Sequence, residues 1–211
     1  MRTIVAIGGF SSNVGKTTLV CELLRAFPGW EAIKMTRGHY RSCGKDPHAC
    51  CVSHLLSAEP VIRSGRAQTF ATGKDTGRYW EAGASNVHWT IVTESQVEQG
   101  IKQALERVKA PGVFIEGTSF LKHIKADFAI LAARGEGGKL KASARHALAH
   151  GRISALYLSD EDDTLTARER FTLWRAANSE RDLLHQLPIY TRAELPQLIA
   201  HLRSIHQALA A

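Results

Sequence analysis

The sequence predicts an α/β fold, a three-layer sandwich in which a mostly parallel sheet carries helices on both faces. Short apolar runs alternate with amphipathic segments along the chain, which is typical of this class. The first apolar run, 4–7, leads directly into a glycine-containing loop and then a helix-like segment. The 211 residues contain no internal repeat or low-complexity linker, so we expect one domain over 1–211.

Each predicted element follows from its pattern of apolar residues. The strands are short and mostly apolar: 4–7, 32–35, 87–92, 113–117, 127–132, 153–158 and an edge-strand candidate at 188–190. The helices have apolar residues at helical spacing: 16–27, 94–108, 141–150, 164–178 and 193–210. The segment from about 36 to 84 is rich in Gly, His, Cys and basic residues, and we expect an irregular insertion there. Ligands of such folds bind beyond the carboxyl ends of the strands.

Composition narrows the function classes. The formal net charge is +7, but the basic residues are scattered, so we expect small anionic ligands rather than nucleic acid. No apolar run is long enough to cross a bilayer, and the run 4–7 is too short for the core of a signal peptide. We therefore expect a cytoplasmic protein without a membrane partner, in which the four cysteines are thiols or metal ligands rather than disulfides.

The loop after the first strand predicts a phosphate site of the P-loop type. Its sequence, GGFSSNVGKTT over 8–18, lies between a strand and a helix, where backbone N–H groups and the helix dipole attract anions. Phe10 stands where the commonest pattern has glycine, and five residues separate Gly9 from Gly15. We expect Lys16 to reach the β- and γ-phosphates of GTP or ATP and Thr17 to ligate Mg²⁺. The expected nucleotide-binding residues are Ser12, Asn13, Val14, Gly15, Lys16, Thr17 and Thr18.

An acidic residue at the end of a later strand completes this predicted site. Glu116 follows the apolar residues of 113–115, so its carboxylate should emerge at the carboxyl edge of the sheet. A carboxylate there can hold Mg²⁺ opposite the P-loop threonine, directly or through water. The alternative is a strand-ending glutamate that faces solvent.

Cysteines and histidines are concentrated in the insertion. Within 16 residues lie His39, Cys43, His48, Cys50, Cys51 and His54. Cys43, Cys50, Cys51 and His54 could supply a tetrahedral Zn²⁺ site, since Cys50 and His54 would share one face of a helix. The spacing is not a standard zinc pattern, and the alternative is a basic, nucleotide-responsive loop with reduced thiols.

With these motifs, the chain resembles the molybdopterin-guanine dinucleotide biosynthesis protein B family, P-loop proteins of the broad class of dethiobiotin synthetase and the nitrogenase iron protein. The resemblance covers roughly 3–132 and rests on the loop spacing, on Ile33-Lys34, on GKDT at 73–76 with EAGA at 81–84, and on IEG at 115–117. It implies GTP and Mg²⁺ binding, weak hydrolysis, a homodimer, and a role beside a molybdopterin-transferring partner in attaching a guanine nucleotide to the molybdenum cofactor. It also implies that Asp75 lies near Mg²⁺ or the γ-phosphate, with Lys16 and Glu116 as the other catalytic residues.

The sequence leaves open which nucleotide base is bound and which reaction the nucleotide drives. Asp160 ends a late strand where many GTPases read guanine, but no Asn-Lys precedes it, so GTP is favoured over ATP only by the resemblance. One alternative function is an ATP-dependent ligase of the dethiobiotin-synthetase kind, with Lys34 on the side of a small acidic substrate. Another is a nucleotide-switched metal carrier that uses the Cys/His segment.

Overall fold

A computed structural model describes residues 2–40, 52–160, 164–178 and 181–211. Within these ranges the centre of the molecule is an eight-stranded sheet with the order β3-β4-β2-β5-β1-β6-β7-β8. The strands are β1 Thr3–Gly9, β2 Glu31–Arg37, β3 Val61–Ser64, β4 Val87–Val92, β5 Gly112–Glu116, β6 Phe128–Ala133, β7 Ala155–Leu158 and β8 Ile189–Thr191. Every neighbouring pair is parallel except β3 with β4. The predicted α/β class is confirmed.

Helices cover both faces of the sheet. They are α1 Lys16–Ala26, α2 Arg66–Thr69, α3 Asp75–Glu81, α4 Val97–Arg107, α5 Ala142–Ala149, α6 Thr164–Ala177, α7 Arg181–Leu184 and α8 Leu195–Ala210. One buried apolar cluster packs α1, α3 and α8 against the sheet, and a second packs α4, α5 and α6 against the opposite face. In the described part of the chain, no helix combines the length and apolarity needed to cross a membrane.

The alternation of side chains along β1 explains how one strand serves both layers. Val5 and Ile7 point into the cluster that contains α1, whereas Ala6 belongs to the cluster on the other face. On α1, Leu19, Leu23 and their neighbours form the buried stripe that meets them. Such a strand is apolar on both faces, as expected for the middle of a parallel sheet.

The insertion differs from expectation in its second half. Residues 52–84 hold the antiparallel edge strand β3 and the helices α2 and α3, where the sequence predicted irregular structure. Its strand is only four residues long and only Ile62 is buried in it, so it lacks a clear strand pattern and is defined by pairing with β4. Residues 41–51 lie outside the described ranges, and the single-domain organisation stays a prediction.

Strand register brings the predicted functional residues to one edge. Glu116 on β5 lies directly opposite Lys34 on β2 and Ile7 on β1. Because β1 continues into the loop that precedes α1, the loop, Lys34 and Glu116 meet at the carboxyl edge of three adjacent strands. This is the edge at which ligands of open α/β sheets bind.

The opposite edge of the sheet carries a buried polar chain that joins β2, β3 and β4. His88 Nε2 lies 2.7 Å from Glu31 Oε2, and His88 Nδ1 lies 2.8 Å from Ser64 Oγ. Glu31 also accepts backbone N–H groups of Lys109 and Ala110, both at 3.0 Å. Burial opposes ionisation of Glu31, but these hydrogen bonds outweigh it and hold the pKa of its carboxyl below the usual value.

We expect Glu31→Gln to lower the free energy of unfolding at neutral pH by about 1.5–3 kcal/mol, since a charged acceptor of three hydrogen bonds is lost. A carboxylate with a lowered pKa stabilises the fold above its ordinary pKa of 4.5 and loses this effect as pH falls below it. The difference between wild type and variant should therefore shrink below about pH 4.5. Urea unfolding at several pH values measures this. The exposed Glu106→Gln is the control, and a pH-independent difference would contradict the role given to the charge.

Candidate phosphate and metal site

The loop between β1 and α1 has the backbone that a phosphate cradle needs. Gly15 has φ 78° and precedes α1, and a Cβ there would lie 2.6 Å from Ser159 Cβ. Asn13 also has a positive φ, 60°. A Cβ on Gly9 would lie 2.6 Å from Val14 Cγ2 and 2.9 Å from Lys16 Cδ, so glycine is required for close packing. The two glycines that bound the loop are therefore each explained by a contact.

Phe10 occupies the position of the expected glycine because its side chain leaves the loop for the core. It is fully buried, with its ring centroid 5.7 Å from that of Trp174 and 6.1 Å from that of Phe171, both on α6. Its backbone N–H donates to Ala132 O and its carbonyl accepts Lys141 N–H, both at 2.9 Å. The residue anchors the start of the loop to β6 and to the segment before α5. This strand–loop–helix at the carboxyl edge of a parallel sheet is the P-loop nucleotide-binding fold.

Four predicted residues converge beyond the loop. Thr17 Oγ1 lies 3.0 Å from Asp75 Oδ1 and 3.0 Å from Glu116 Oε2. Lys34 Nζ bridges the same carboxylates, 2.5 Å from Asp75 Oδ2 and 2.6 Å from Glu116 Oε1. The structure thus brings together residues from α1, β2, α3 and β5 that are up to 99 positions apart.

A buried tyrosine completes the surroundings of Glu116. Tyr79 is fully buried on α3 and donates its hydroxyl hydrogen to Glu116 Oε2. Burial first, and then the charge of Glu116, raise the pKa of Tyr79 well above its ordinary value, so the phenol stays a donor. Tyr79 was not among the predicted site residues. Its position one helical turn after Asp75, at i+4, is the sequence signal that could have found it.

The charges of the cluster are mutually dependent. Burial lowers the pKa of Lys34, but Glu116 and then Asp75 outweigh it and raise the pKa overall. Burial likewise opposes ionisation of Asp75, and Lys34 and Thr17 reverse this to give a lowered pKa. No carboxylate of the described ranges forms an ion pair with Lys16, and burial dominates to lower its pKa. Lys34 and Asp75 therefore remain charged at neutral pH.

These residues line a cavity of about 720 Å³ at the carboxyl edge. Of the predicted nucleotide-binding residues, Ser12, Asn13, Gly15, Lys16, Thr17 and Thr18 contribute to its wall. Val14 is buried and does not, so only its backbone can face a ligand. The wall also contains residues that the sequence motifs did not indicate, among them Arg37, Thr118, Arg134 and Lys141.

A second cavity of about 650 Å³ adjoins the loop on the side of β7 and β8. Its wall includes Thr18, Tyr157, Asp160 and Arg192. Asp160 is buried, and its Oδ2 accepts the Gly135 N–H at 2.6 Å. The predicted base-reading residue therefore lies at a cavity beside the phosphate loop while also holding the loop that follows β6.

The donor set at the first cavity fits Mg²⁺. Thr17, Asp75 and Glu116 present only oxygen atoms, from one hydroxyl and two carboxylates, which is the chemistry this ion prefers. Lys34 pairs with the other oxygen of each carboxylate, so a bound ion and the ammonium group would compete for the charge of the same two carboxylates.

The predicted zinc site cannot be placed as a whole. Cys43, Cys50 and Cys51 lie outside the described residues, and His54 is exposed in a short 3₁₀ turn, Ser53–Leu55. Among the residues that the structure describes, no three His, Cys, Asp or Glu side chains meet in a way that could hold a metal ion.

Comparison with known proteins gives similarity at the level of the fold. The signal recognition particle receptor FtsY from Elizabethkingia anophelis matches at 16% identity, 90% coverage of this chain, 57% of its own and a TM-score of 0.43. LpxK from Aquifex aeolicus in complex with ATP matches at 19% identity, with 74% of this chain and 48% of the LpxK chain covered and a TM-score of 0.46. The pNOB8 ParA bound to nonspecific DNA matches at 13% identity, with 90% of this chain and 85% of the ParA chain covered and a TM-score of 0.41.

This chain spans about half the length of the FtsY and LpxK chains. No family model matches it, and no curated protein does. At these identities and TM-scores the three structures do not indicate the activity of this chain.

We expect Lys34→Met to lower the free energy of unfolding in the absence of metal by roughly 2–3 kcal/mol, allowing for the partial exposure of Asp75. The variant leaves Asp75 and Glu116 without their shared cation, so added Mg²⁺ should raise its melting temperature more than that of wild type. Thermal unfolding with and without Mg²⁺ measures both effects. Lys74→Met, exposed and adjacent to Asp75, is the matched control. An equal rise in melting temperature with Mg²⁺ in variant and wild type would contradict the assignment of Asp75 and Glu116 as magnesium ligands.

Proposed function

We propose that this chain binds GTP with Mg²⁺, hydrolyses it slowly, and supports the attachment of a guanine nucleotide in molybdenum cofactor biosynthesis. The observation that carries the proposal is the convergence of Thr17, Asp75, Glu116 and Lys34 directly beyond the loop that ends in Lys16. The resemblance of 73–84 to the molybdopterin-guanine dinucleotide biosynthesis protein B family supplies the link to this reaction.

The loop would bind the phosphates through its backbone and one lysine. The N-terminus of α1 directs N–H groups toward the cavity, and Gly15 allows close approach. Lys16 lines the cavity, and within the described residues its ammonium group hydrogen-bonds only to a backbone carbonyl, Ser11 O at 3.4 Å. A cation without a carboxylate partner is suited to the β- and γ-phosphate oxygens.

Thr17, Asp75 and Glu116 would hold the metal ion. Mg²⁺, when bound, neutralises negative charge between the β- and γ-phosphates. Tyr79 keeps the Glu116 carboxylate in place from the buried side through its hydroxyl hydrogen bond. The ion would weaken the pairing of Lys34 with Asp75 and Glu116, and the released ammonium group would lie beside the terminal phosphate.

Slow hydrolysis follows from the state of the acidic groups. An effective general base needs a pKa near the working pH. The pKa of Asp75 lies below its ordinary value, and Glu116 is engaged by three side chains. Neither carboxylate is suited to take a proton from water rapidly, which favours a binding or switching role over fast turnover.

GTP is proposed over ATP because of the cavity that adjoins the loop. Asp160 lines it, and each of its carboxylate oxygens already accepts one hydrogen bond, from Gly135 N–H or Arg170. A second lone pair on each oxygen can accept the paired N–H donors of guanine, which adenine lacks at that edge. The homodimer and the molybdopterin-transferring partner belong to the proposal through the family resemblance alone.

We expect Lys16→Ala to weaken GTP binding by about 1.5–3 kcal/mol, the effect of one lost charge-assisted contact to phosphate. Titration with a fluorescent GTP analogue in the presence of Mg²⁺ measures the affinity, and competition with ATP and GTP compares the two bases. Lys109→Ala, exposed at the opposite edge of the sheet, should bind as wild type does. Equal affinity of the Lys16 and Lys109 variants would remove the phosphate-site assignment.

The metabolic role has a separate test in cells. Deleting the gene should lower the amount of guanine-dinucleotide cofactor relative to free molybdopterin, because nucleotide attachment would lose its support. Wild-type protein should restore the ratio and Lys16→Ala should not. An unchanged ratio after deletion would overturn the molybdenum role while leaving nucleotide binding intact.

A further inference from the structure

The cavity at the carboxyl edge extends beyond the part that a nucleotide's phosphates would occupy. The loop residues and Thr17 line one side of it. The other side is formed by the ends of β2 and β5 and by the start of α5, including Arg37, Ser119 and Lys141. Arg37, Ser119 and Lys141 belong to none of the motifs that predict the phosphate loop or the magnesium ligands.

Positive charge exceeds what a magnesium-bound triphosphate would neutralise. The wall contains six cationic side chains and two carboxylates, Asp75 and Glu116. A nucleoside triphosphate with one Mg²⁺ carries about two negative charges, which leaves roughly two positive charges unmatched. Arg37 also pairs with Glu94, which Lys122 shares. Counting Arg37 as neutralised still leaves about one positive charge for a second anion.

Lys141 is the cation best placed to receive that anion. More than a third of its surface is accessible, and its side chain makes no hydrogen bond or ion pair with any described residue. Shielding by the cavity wall first, and then the charges of Lys16 and Arg37, lower the pKa of its ammonium group. The three cations are therefore close enough to repel one another, an arrangement that an anion between them would relieve.

Three hydroxyl groups without a described hydrogen-bond partner line the same cavity as Lys141. Thr118 is only 9% exposed and lines the cavity, yet its hydroxyl has no hydrogen-bond partner in the part of the chain that the structure describes. Ser119 and Ser143 also line the cavity, and their hydroxyls likewise lack a described partner. Because these residues line the cavity, their hydroxyl groups can bind a ligand there.

We propose that the outer part of this cavity binds the phosphate group of a second, phosphorylated ligand beside the nucleoside triphosphate. The side chains that contact it are those of Thr118, Ser119, Lys141 and Ser143. Three hydroxyl donors and an ammonium group suit the several acceptor oxygens of a phosphate better than the two coplanar oxygens of a carboxylate. This inference rests on the proposed function, because the nucleotide occupies the rest of the cavity.

The test uses the full chain saturated with a non-hydrolysable GTP analogue and Mg²⁺, so that the nucleotide phosphates are in place. Phenyl phosphate, and benzoate as the carboxylate probe, are then titrated calorimetrically. We expect phenyl phosphate to bind one-to-one and more tightly than benzoate. Lys141→Met should weaken phenyl phosphate binding about tenfold or more while changing the affinity for the analogue little.

Lys139→Met is the matched control, since Lys139 is exposed in the same segment and lies outside the cavity wall. It should bind both ligands as wild type does, and Ser143→Ala should weaken phenyl phosphate alone. Binding of the analogue without phenyl phosphate, stronger binding of benzoate, or equal losses in the two lysine variants would each overturn the inference. Failure of the wild type to bind the analogue would instead overturn the proposed function.

Discussion

The buried carboxylate of Glu116 is the constraint on which the site depends. It is 3% exposed at the end of a central strand, where an unpaired charge would be strongly destabilising. The structure meets this cost with Lys34 from the neighbouring strand, Tyr79 from α3 and Thr17 from α1. Those partners come from three separate elements, so satisfying one carboxylate also fixes the positions of the helix after the phosphate loop, the adjacent strand and the helix of the insertion. The same contacts that stabilise the fold therefore arrange the groups that would hold Mg²⁺ and phosphate.

The sheet has polar networks at both edges, and they differ in what they leave available. At the amino edge, Glu31 is surrounded by His88 and two backbone N–H groups, and neither Glu31 nor His88 lines either of the two large cavities. At the carboxyl edge, the cluster around Glu116 opens into a large cavity and includes lysines that can change partner. The first network stabilises strand pairing, whereas the second can exchange its contacts with a ligand. The comparison explains why buried charge alone does not identify a functional site.

The sequence predicted most of the fold and the inner half of the site. Alternating apolar and amphipathic segments predicted the layers, local motifs predicted Lys16, Thr17 and Glu116 as site residues, and the family resemblance added Asp75. The strand β3 was missed because its four residues become a strand only by pairing with β4. Lys141 and Thr118 were missed because nothing in their local sequence indicates a site; the loop after β6 and the turn after β5 bring them to the cavity. Phe10 departs from the loop pattern, and its packing against Phe171 and Trp174, which local sequence does not predict, explains why it fits.

The charge of Lys34 links the predicted magnesium ligands to the outer part of the cavity. In this structure its ammonium group bridges the two carboxylates that would ligate Mg²⁺. Because a metal ion at these carboxylates would supply positive charge that Lys34 now supplies, it would weaken the pairing of Lys34 with them. A displaced Lys34 would add to Lys16, Arg37 and Lys141 on the side of the terminal phosphate, since all four line one cavity. Metal binding would thus raise the positive potential at the outer part of the cavity, so that binding of the nucleotide and of a second anion would be favourably coupled through one lysine.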